Sequence, residues 1–490
     1  MTGSRPSSAV SSDKKDDESF EAPGEVVEYL PQRKAIKIGP ISLPPWRSPT
    51  AQITLIGFVC FLCTGMFNAL NGIGGGGQID SSVSAASMTA IYPTFTIVGF
   101  TAGSFLNYFG AKITLGIGGL GYAVYSAAYL CYNHTHNKEF VIFSGVLLGI
   151  CAAFIWCAHG TIMMSYPAEN EKGKFIGIFW AIFNSGAVLG SLVPLVNDAT
   201  YIGFLVLMAM GGILAWFLVP PEKVIRSDGS RVQPIRNPSA IAEIRGLYDT
   251  LVSETYILLL FPYFIASNWF YTYEQNSYNL YMFNTRTRSF TGLWYWLSQI
   301  GASLLFGHLL DNAAWPRRKR AIAGWVVLFL MVNGIWGGGL KADLQMSRPP
   351  RPEDAATWYR GMDVYDKGFG WYCLLYIAYG MLDAVWQTYA YWLMGALSNE
   401  PRKLAYFAGF YKGIQAAGSA VAWGLDSARV SYRVLFLTSW GWCVAGMLFL
   451  IPVIWIKIND TGRVLQESAS PEEIERDRDD EKNHAVDSGM

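Results

Sequence analysis

Twelve apolar runs of helix-spanning length recur along this chain, at 51–71, 87–108, 113–132, 140–164, 175–195, 201–219, 255–274, 291–310, 321–340, 370–394, 404–424 and 434–456. A hydrocarbon layer about 30 Å thick needs roughly 20 apolar residues in one helix, because only a helix satisfies its own backbone polar groups in lipid. No water-soluble core accommodates twelve such runs. The fold class expected is therefore an all-α membrane protein of twelve transmembrane helices, with the lipid bilayer as its first partner. Charge agrees: 15% of residues are charged, against about 25% in soluble domains.

The charges that remain gather in tails and connections. Residues 1–45 and 458–490 read as disordered tails, the second strongly acidic, and 220–254 reads as a linker between two six-helix halves at 46–219 and 255–457. Segments on the side of the tails hold 20 Lys and Arg near the membrane, including Arg33, Lys112, Lys172, Arg236, Arg317 and Arg402, whereas the other side holds 10. That bias places both termini in the cytoplasm. Residues 1–45 begin with Ser, Lys, Asp and Glu, so no cleaved signal peptide is expected. Asn133-His134-Thr135 is a glycosylation sequon in a short outer connection. Lys plus Arg and Asp plus Glu are both 37, which offers nothing to nucleic acid. The seven Cys lie inside apolar runs without a metal-ligand pattern.

The two halves echo one another. Where helix 2 ends the chain reads Gly103-Ser-Phe-Leu-Asn107-Tyr-Phe-Gly110-Ala-Lys112, and where helix 8 ends it reads Gly307-His-Leu-Leu-Asp311-Asn-Ala-Ala-Trp-Pro-Arg317-Arg318-Lys-Arg320. Asn170-Glu171-Lys-Gly-Lys174 before helix 5 answers Asn399-Glu400-Pro-Arg-Lys403 before helix 11. The first pair resembles the helix 2–3 signature of the major facilitator superfamily, Gly-x-x-x-Asp-Arg-x-Gly-Arg-Arg. That resemblance implies a gating latch at Gly103, Asn107, Gly307, Asp311, Arg317 and Arg318. Asn107 and Tyr108 stand where the signature has Asp and Arg, so a latch in the first half would be a neutral hydrogen bond.

Helix 1, Gly65-Met-Phe-Asn68-Ala-Leu-Asn71-Gly-Ile-Gly74-Gly-Gly-Gly77-Gln78, together with Tyr166 to Trp180 and Gln387-x-x-x-Tyr-Trp392-Leu-Met-Gly395, resembles the Unc-ninety-three-like branch of that superfamily, its fungal members most of all. The likeness covers about 46–457. It implies a two-half carrier that moves a small solute or ion by alternating access, or alternatively a non-transporting regulator or chaperone of a channel or other membrane protein.

No Ser-His-Asp arrangement, paired catalytic carboxylates or metal cluster has usable spacing, so no enzyme is expected. The Gly74 to Gly77 run lacks the Lys-Ser/Thr of a phosphate cradle, and no cofactor is expected. Gly186 and Gly190 read as a small-residue packing face, and His159 as either a core histidine or a proton relay. Charge at depth is the stronger signal, since such residues pair, face the interior or line a path. Glu274, Asp383 and Lys412 qualify, Glu274 reading either as lining or as wet at the outer rim. Under the resemblance the cavity lining comprises Asn68, Asn71, Glu274, Asp383, Gln387, Lys412 and Gln415. Asp383 and Lys412 are expected at matching depths on antiparallel neighbours, as an ion pair.

Overall fold

The apolar runs start as helices where a polar side chain satisfies the first free backbone N–H groups. Ser48 accepts from Ala51 N at 3.2 Å, Asn137 from Phe140 N at 3.1 Å, and Asn284 from Thr287 N at 2.9 Å. The computed structural model describes residues 36–38, 41–72, 81–168, 171–191, 198–226, 232, 240–350 and 355–458. A short antiparallel hairpin, β1 (Ile36–Ile38) and β2 (Ile41–Leu43), precedes the helices.

The first half contains α1, built from Pro49–Cys60, a π-helical stretch Phe61–Gly65 and Met66–Gly72. Next, Ser81–Thr135 is divided at Gly110, whose φ of 78° bends the chain into α2 (81–109) and α3 (111–135). Then come α4 (Lys138–Ser165), α5 (Lys172–Ser191) and α6 (Asp198–Leu214). A linker helix, Ala240–Ser253, leads to the second half. There α7 comprises Thr255–Leu260, Phe261–Tyr271, a π-helical Thr272–Asn279 and Leu280–Met282. It is followed by α8 (Thr285–Leu310), α9 (Arg317–Asp343), α10 (Phe369–Leu397), α11 (Pro401–Ser427) and α12 (Tyr432–Lys457).

One expected boundary needs correcting. The run read as ending at 274 continues to Met282, because the π turns carry it through a polar stretch that hydropathy alone treats as an end. Among the described residues, seven stretches are long and apolar enough to cross a membrane, and they contain α1, α2 with α3, α4, α5, α6, α9 and α12. The four helices that fail that measure are α7, α8, α10 and α11. All belong to the second half, and they carry most of its buried polar residues, Arg317, Arg320 and Asp343 of α9 and Ser439 of α12 being the others among the described residues.

Arg47 next to α1 accepts from Ile225 N at 3.0 Å, Lys457 lies 4.8 Å from the Tyr256 ring, and Glu254 pairs with Lys403. The start of α1, the linker and the end of α12 thus share one face of the bundle, here the terminal face. The halves meet along two helix crossings held by small residues. In α2 against α11, a Cβ on Gly99 would lie 2.7 Å from Gly413 Cα, and one on Gly103 would lie 2.5 Å from Ala405 O. In α5 against α8, Gly173 and Gly307 each abut the other's carbonyl oxygen. Within the first half, Gly186 lies against Phe61 and Gly65 of α1 and Gly190 against Ala69, as a packing face should.

Candidate functional site

Between the halves lies a chain of buried and half-buried polar groups contributed by the second half. Asp383 of α10 accepts hydrogen bonds from Tyr271 Oη at 2.6 Å and Gln387 Nε2 at 2.9 Å. Gln387 then accepts from Lys412 Nζ at 3.3 Å, and Lys412 also donates to Gln415 Oε1 at 2.7 Å. The chain ends where Gln415 Nε2 donates to Ser267 Oγ at 2.8 Å and Asn268 Oδ1 at 2.9 Å. Helical spacing explains the alignment: Asp383 and Gln387, like Lys412 and Gln415, are one turn apart and share a face.

The expected Asp383–Lys412 ion pair is not formed. Gln387 stands between them, its amide N–H on the carboxylate and its carbonyl on the ammonium. Lys412 instead lies over aromatic faces, 4.2 Å from the ring centre of Trp156 on α4, 4.7 Å from Tyr411 and 5.4 Å from Tyr391. The first half supplies a wall of rings here: His159 stacks on Phe179 at 4.5 Å, and Trp156 packs edge-on against Phe183 at 5.6 Å. His159 Nδ1 meets Ile155 O at 3.1 Å within its own helix, while its Nε2 is buried without a hydrogen-bond partner.

Glu274 is not at a wet rim. The longer α7 buries it completely within the π-helical stretch, where Tyr295 Oη donates to its Oε2 at 2.9 Å. Asn68 is half-buried on α1, and no hydrogen bond joins it to the network among the described residues. Asn71 belongs to the last turn of α1 with its side chain outside the described residues, as are Gly74 to Gly77 and Gln78.

On the terminal face, Asp311 caps the N-terminus of α5. Its Oδ1 accepts from Gly173 N at 2.8 Å and its Oδ2 from Lys174 N, so a carboxylate of the second half meets the positive end of a first-half helix. Burial pushes the Asp311 carboxyl up to about 6, against the two backbone N–H groups and the Arg320 charge that hold it down. Lys172 makes the reciprocal contact, donating to Gly395 O at 2.5 Å and Asn399 Oδ1 at 2.7 Å at the negative end of α10. The echo before helices 5 and 11 therefore brings its two copies into contact. Arg317 donates to Ala396 O at 3.2 Å, Arg318 lies 4.2 Å from the Trp455 ring, and Arg320 donates to Leu310 O at 3.0 Å. In the first half Gly103 abuts Ala405, and the buried Asn107 lines a 390 Å³ cavity with Tyr166, Glu222 and Pro401.

A model of the Major Facilitator Superfamily matches residues 53–342. An UNC93-like protein of Schizosaccharomyces pombe is 44% identical over 445 residues, which cover 89% of this chain and 88% of that one. The chain belongs to the UNC93-like family of major facilitators. A second UNC93-like protein, from Arabidopsis thaliana, is 37% identical over 85% of this chain and 92% of its own length. The fold matches solved major facilitators: an E. coli fucose:proton symporter aligns with a TM-score of 0.58 at 11% identity, covering 82% of this chain and 98% of that one. The human organic anion transporter MFSD10 aligns at 0.54 with 14% identity over 82% of this chain and 99% of its own. At such identities the likeness is one of fold. The UNC93-like frame also holds residues that pattern reading missed. Tyr271, Tyr295, Ser267, Asn268 and Trp156 look like ordinary apolar-run residues in sequence, and only packing reveals the first two and Trp156 as partners of buried charges and Ser267 and Asn268 as partners of Gln415. For Lys172 a signal existed, since it sits inside the echoed motif.

Proposed function

We propose that this protein carries a small polar solute across the bilayer by alternating access, with its two six-helix halves rocking about the central network. The observation that supports this most is the unbroken chain from Asp383 through Gln387 and Lys412 to Gln415 and Ser267, buried at the meeting of the halves. A scaffold has little use for so many polar groups in a lipid-embedded core, where each is costly unless satisfied, and a solute path needs them. The interlocked ends at Asp311 and Lys172 describe a state closed at the terminal face. The excess of Lys and Arg on that face supports a cytoplasmic side for it, which makes the closed gate the inner one in this reading. Protease access to an epitope placed at Ser227 in sealed right-side-out vesicles reads this directly, and cleavage without permeabilisation would reverse the assignment.

The transport reading is tested by a solute screen on thermal stability of the purified protein, followed by liposome uptake of each hit. Wild-type uptake should vanish in Asp383→Asn and Lys412→Met. Uptake that survives both substitutions would place the path elsewhere. A protein that binds no solute but retains a membrane-protein client would favour the regulator or chaperone reading.

A further inference from the structure

The central layer does not balance its charge. Glu274, Asp383 and Lys412 are 0%, 0% and 2% exposed, so two carboxylates face one ammonium in a dry interior. Lys412 spends its donors on the amide oxygens of Gln387 and Gln415 and its remaining face on Trp156, and among the described residues it makes no ion pair. Asp383 has a donor on each oxygen. Glu274 has one, Tyr295 on Oε2, and its Oε1 has no hydrogen-bond partner although it is fully buried. One helical turn along α8 from Tyr295, Gln299 is also fully buried, and its amide oxygen has no hydrogen-bond partner. Its side chain turns towards Asp383, and the two carboxylates act on each other electrostatically.

We infer that Glu274 and Asp383, with the Gln299 amide beside them, form a site for one monovalent cation, a proton or a sodium ion. The site extends the centre described above and stands whether or not a solute crosses. A single positive charge brings the layer to neutrality, whereas a divalent ion would leave it as unbalanced as before with the opposite sign. Carboxylate and amide oxygens are hard donors suited to either occupant. A proton on Glu274 would turn its bare acceptor into a donor. The carboxylate lies in a π-helical stretch, where the widened turn loosens the backbone ladder, and such stretches recur at functional positions. Around Glu274 the titratable groups are Tyr271 on its own helix, Tyr295 on α8, Tyr376, Tyr379 and Asp383 on α10, and Cys443 on α12. Phenols and thiols are neutral at ordinary pH, so Asp383 is the charge that Glu274 feels, with Lys412 acting through Asp383.

The test uses the purified full-length protein and reads thermal stability against pH, and against sodium chloride replacing choline chloride at fixed ionic strength. Wild-type stability should rise with one of these ions: a rise with sodium at constant pH identifies sodium, and a rise on acidification alone, read with its variants in an Asp311→Asn background that removes the titration at the terminal face, identifies the proton. Glu274→Gln, which supplies the neutral isostere, should weaken that dependence at least about tenfold in ion concentration. Asp383→Asn leaves one negative and one positive charge, so it too should lose the dependence, and it decides the matter if Glu274→Gln does not fold. Stability indifferent to both ions in the wild type, or a dependence retained by the variants, overturns the site. Uptake is not measured, so failure here leaves the carrier proposal standing, and ion binding without solute uptake would do the reverse.

Discussion

The two halves use the same scaffold and different chemistry. Each presents a Gly-x-x-x-Asx helix end to the other half, each has a π-helical stretch in its first spanning helix, at Phe61–Gly65 in α1 and Thr272–Asn279 in α7, and each meets the other across glycine. At the centre the likeness stops. The first half offers the rings of Trp156, His159, Phe179 and Phe183, while the second offers Glu274, Asp383, Gln387, Lys412 and Gln415. A duplicated frame can preserve helix crossings in both copies because packing requires them twice. Buried charge is costly to carry in lipid, so one copy suffices.

The sharpest way to break this asymmetry is to remove charge from the second half. Lys412→Met leaves the carboxylates without the one cation that lies near them among the described residues and should cost about 3–5 kcal/mol. Trp156→Leu, on the facing wall, removes a desolvated cation–π contact of roughly 2 kcal/mol and some packing. Asp383→Asn and Lys412→Met combined should cost less than the sum of the two, since the double variant loses both ends of the Gln387 bridge together. Thermal unfolding in detergent across the full cycle measures this. Strict additivity would mean that Gln387 transmits no coupling between the two charges.

The terminal face offers a gentler comparison. Asp311→Ala removes a charged cap from α5 and should favour opening of that face by about 1–2 kcal/mol, whereas Asn107→Ala, which removes a neutral amide, should do less. Labelling of single cysteines on the two faces reports the shift, and equal effects would refute the asymmetry. Acidity sharpens it further. In the closed state the Asp311 carboxyl is pushed up to about 6, and once released into water it returns to about 3.9. The closed state therefore binds the proton more tightly, so lowering the pH from 7 through 6 towards 4 should favour closure. Asp311→Asn should abolish that trend, and a trend of opposite sign would mean that the backbone N–H bonds outweigh burial.

The sequence revealed the frame better than the site, for a physical reason. Helix count, the echoed ends and the three buried charges follow from hydropathy and spacing, because lipid penalises every exception. The Asp383–Lys412 contact was expected from matching depth, which cannot register that Gln387, on the same face as Asp383, reaches the ammonium first. For Glu274 the sequence leaves lining and wet rim both open, because a π stretch rich in Tyr, Glu, Gln and Asn reads as a helix end, and burial decides for the interior. Tyr271 and Tyr295 carried no signal, since an aromatic residue in an apolar run is usually packing.

The smallest expected effect concerns the opposite face, where the equivalent connections α3–α4 and α9–α10 differ most. The second half uses residues 344–368, tied back by Asn284 N to Met362 O at 3.0 Å and by Arg286 to Asp363 at 2.6 Å. Hydrogen bonds from Asn284 and Arg286 hold the Asp363 carboxyl down to about 2. The first half turns in two residues, His136 and Asn137, with His136 at a φ of 54°. Its sequon therefore sits on the final turn of α3, where Asn133 Nδ2 donates to Asp198 Oδ1 at 3.0 Å and His134 Nε2 lies 3.0 Å from Oδ2. A glycan would have to attach at the nitrogen that makes this bond, on a helix end with no slack to present it. Asn133→Gln should thus leave electrophoretic mobility unchanged, with or without glycosidase treatment, and lower stability by about 0.5–1.5 kcal/mol through loss of the bond to Asp198. A glycosidase-sensitive wild type would show that the α3–α4 turn opens far enough to release Asn133, and that the first half is looser on this face than its short connection implies.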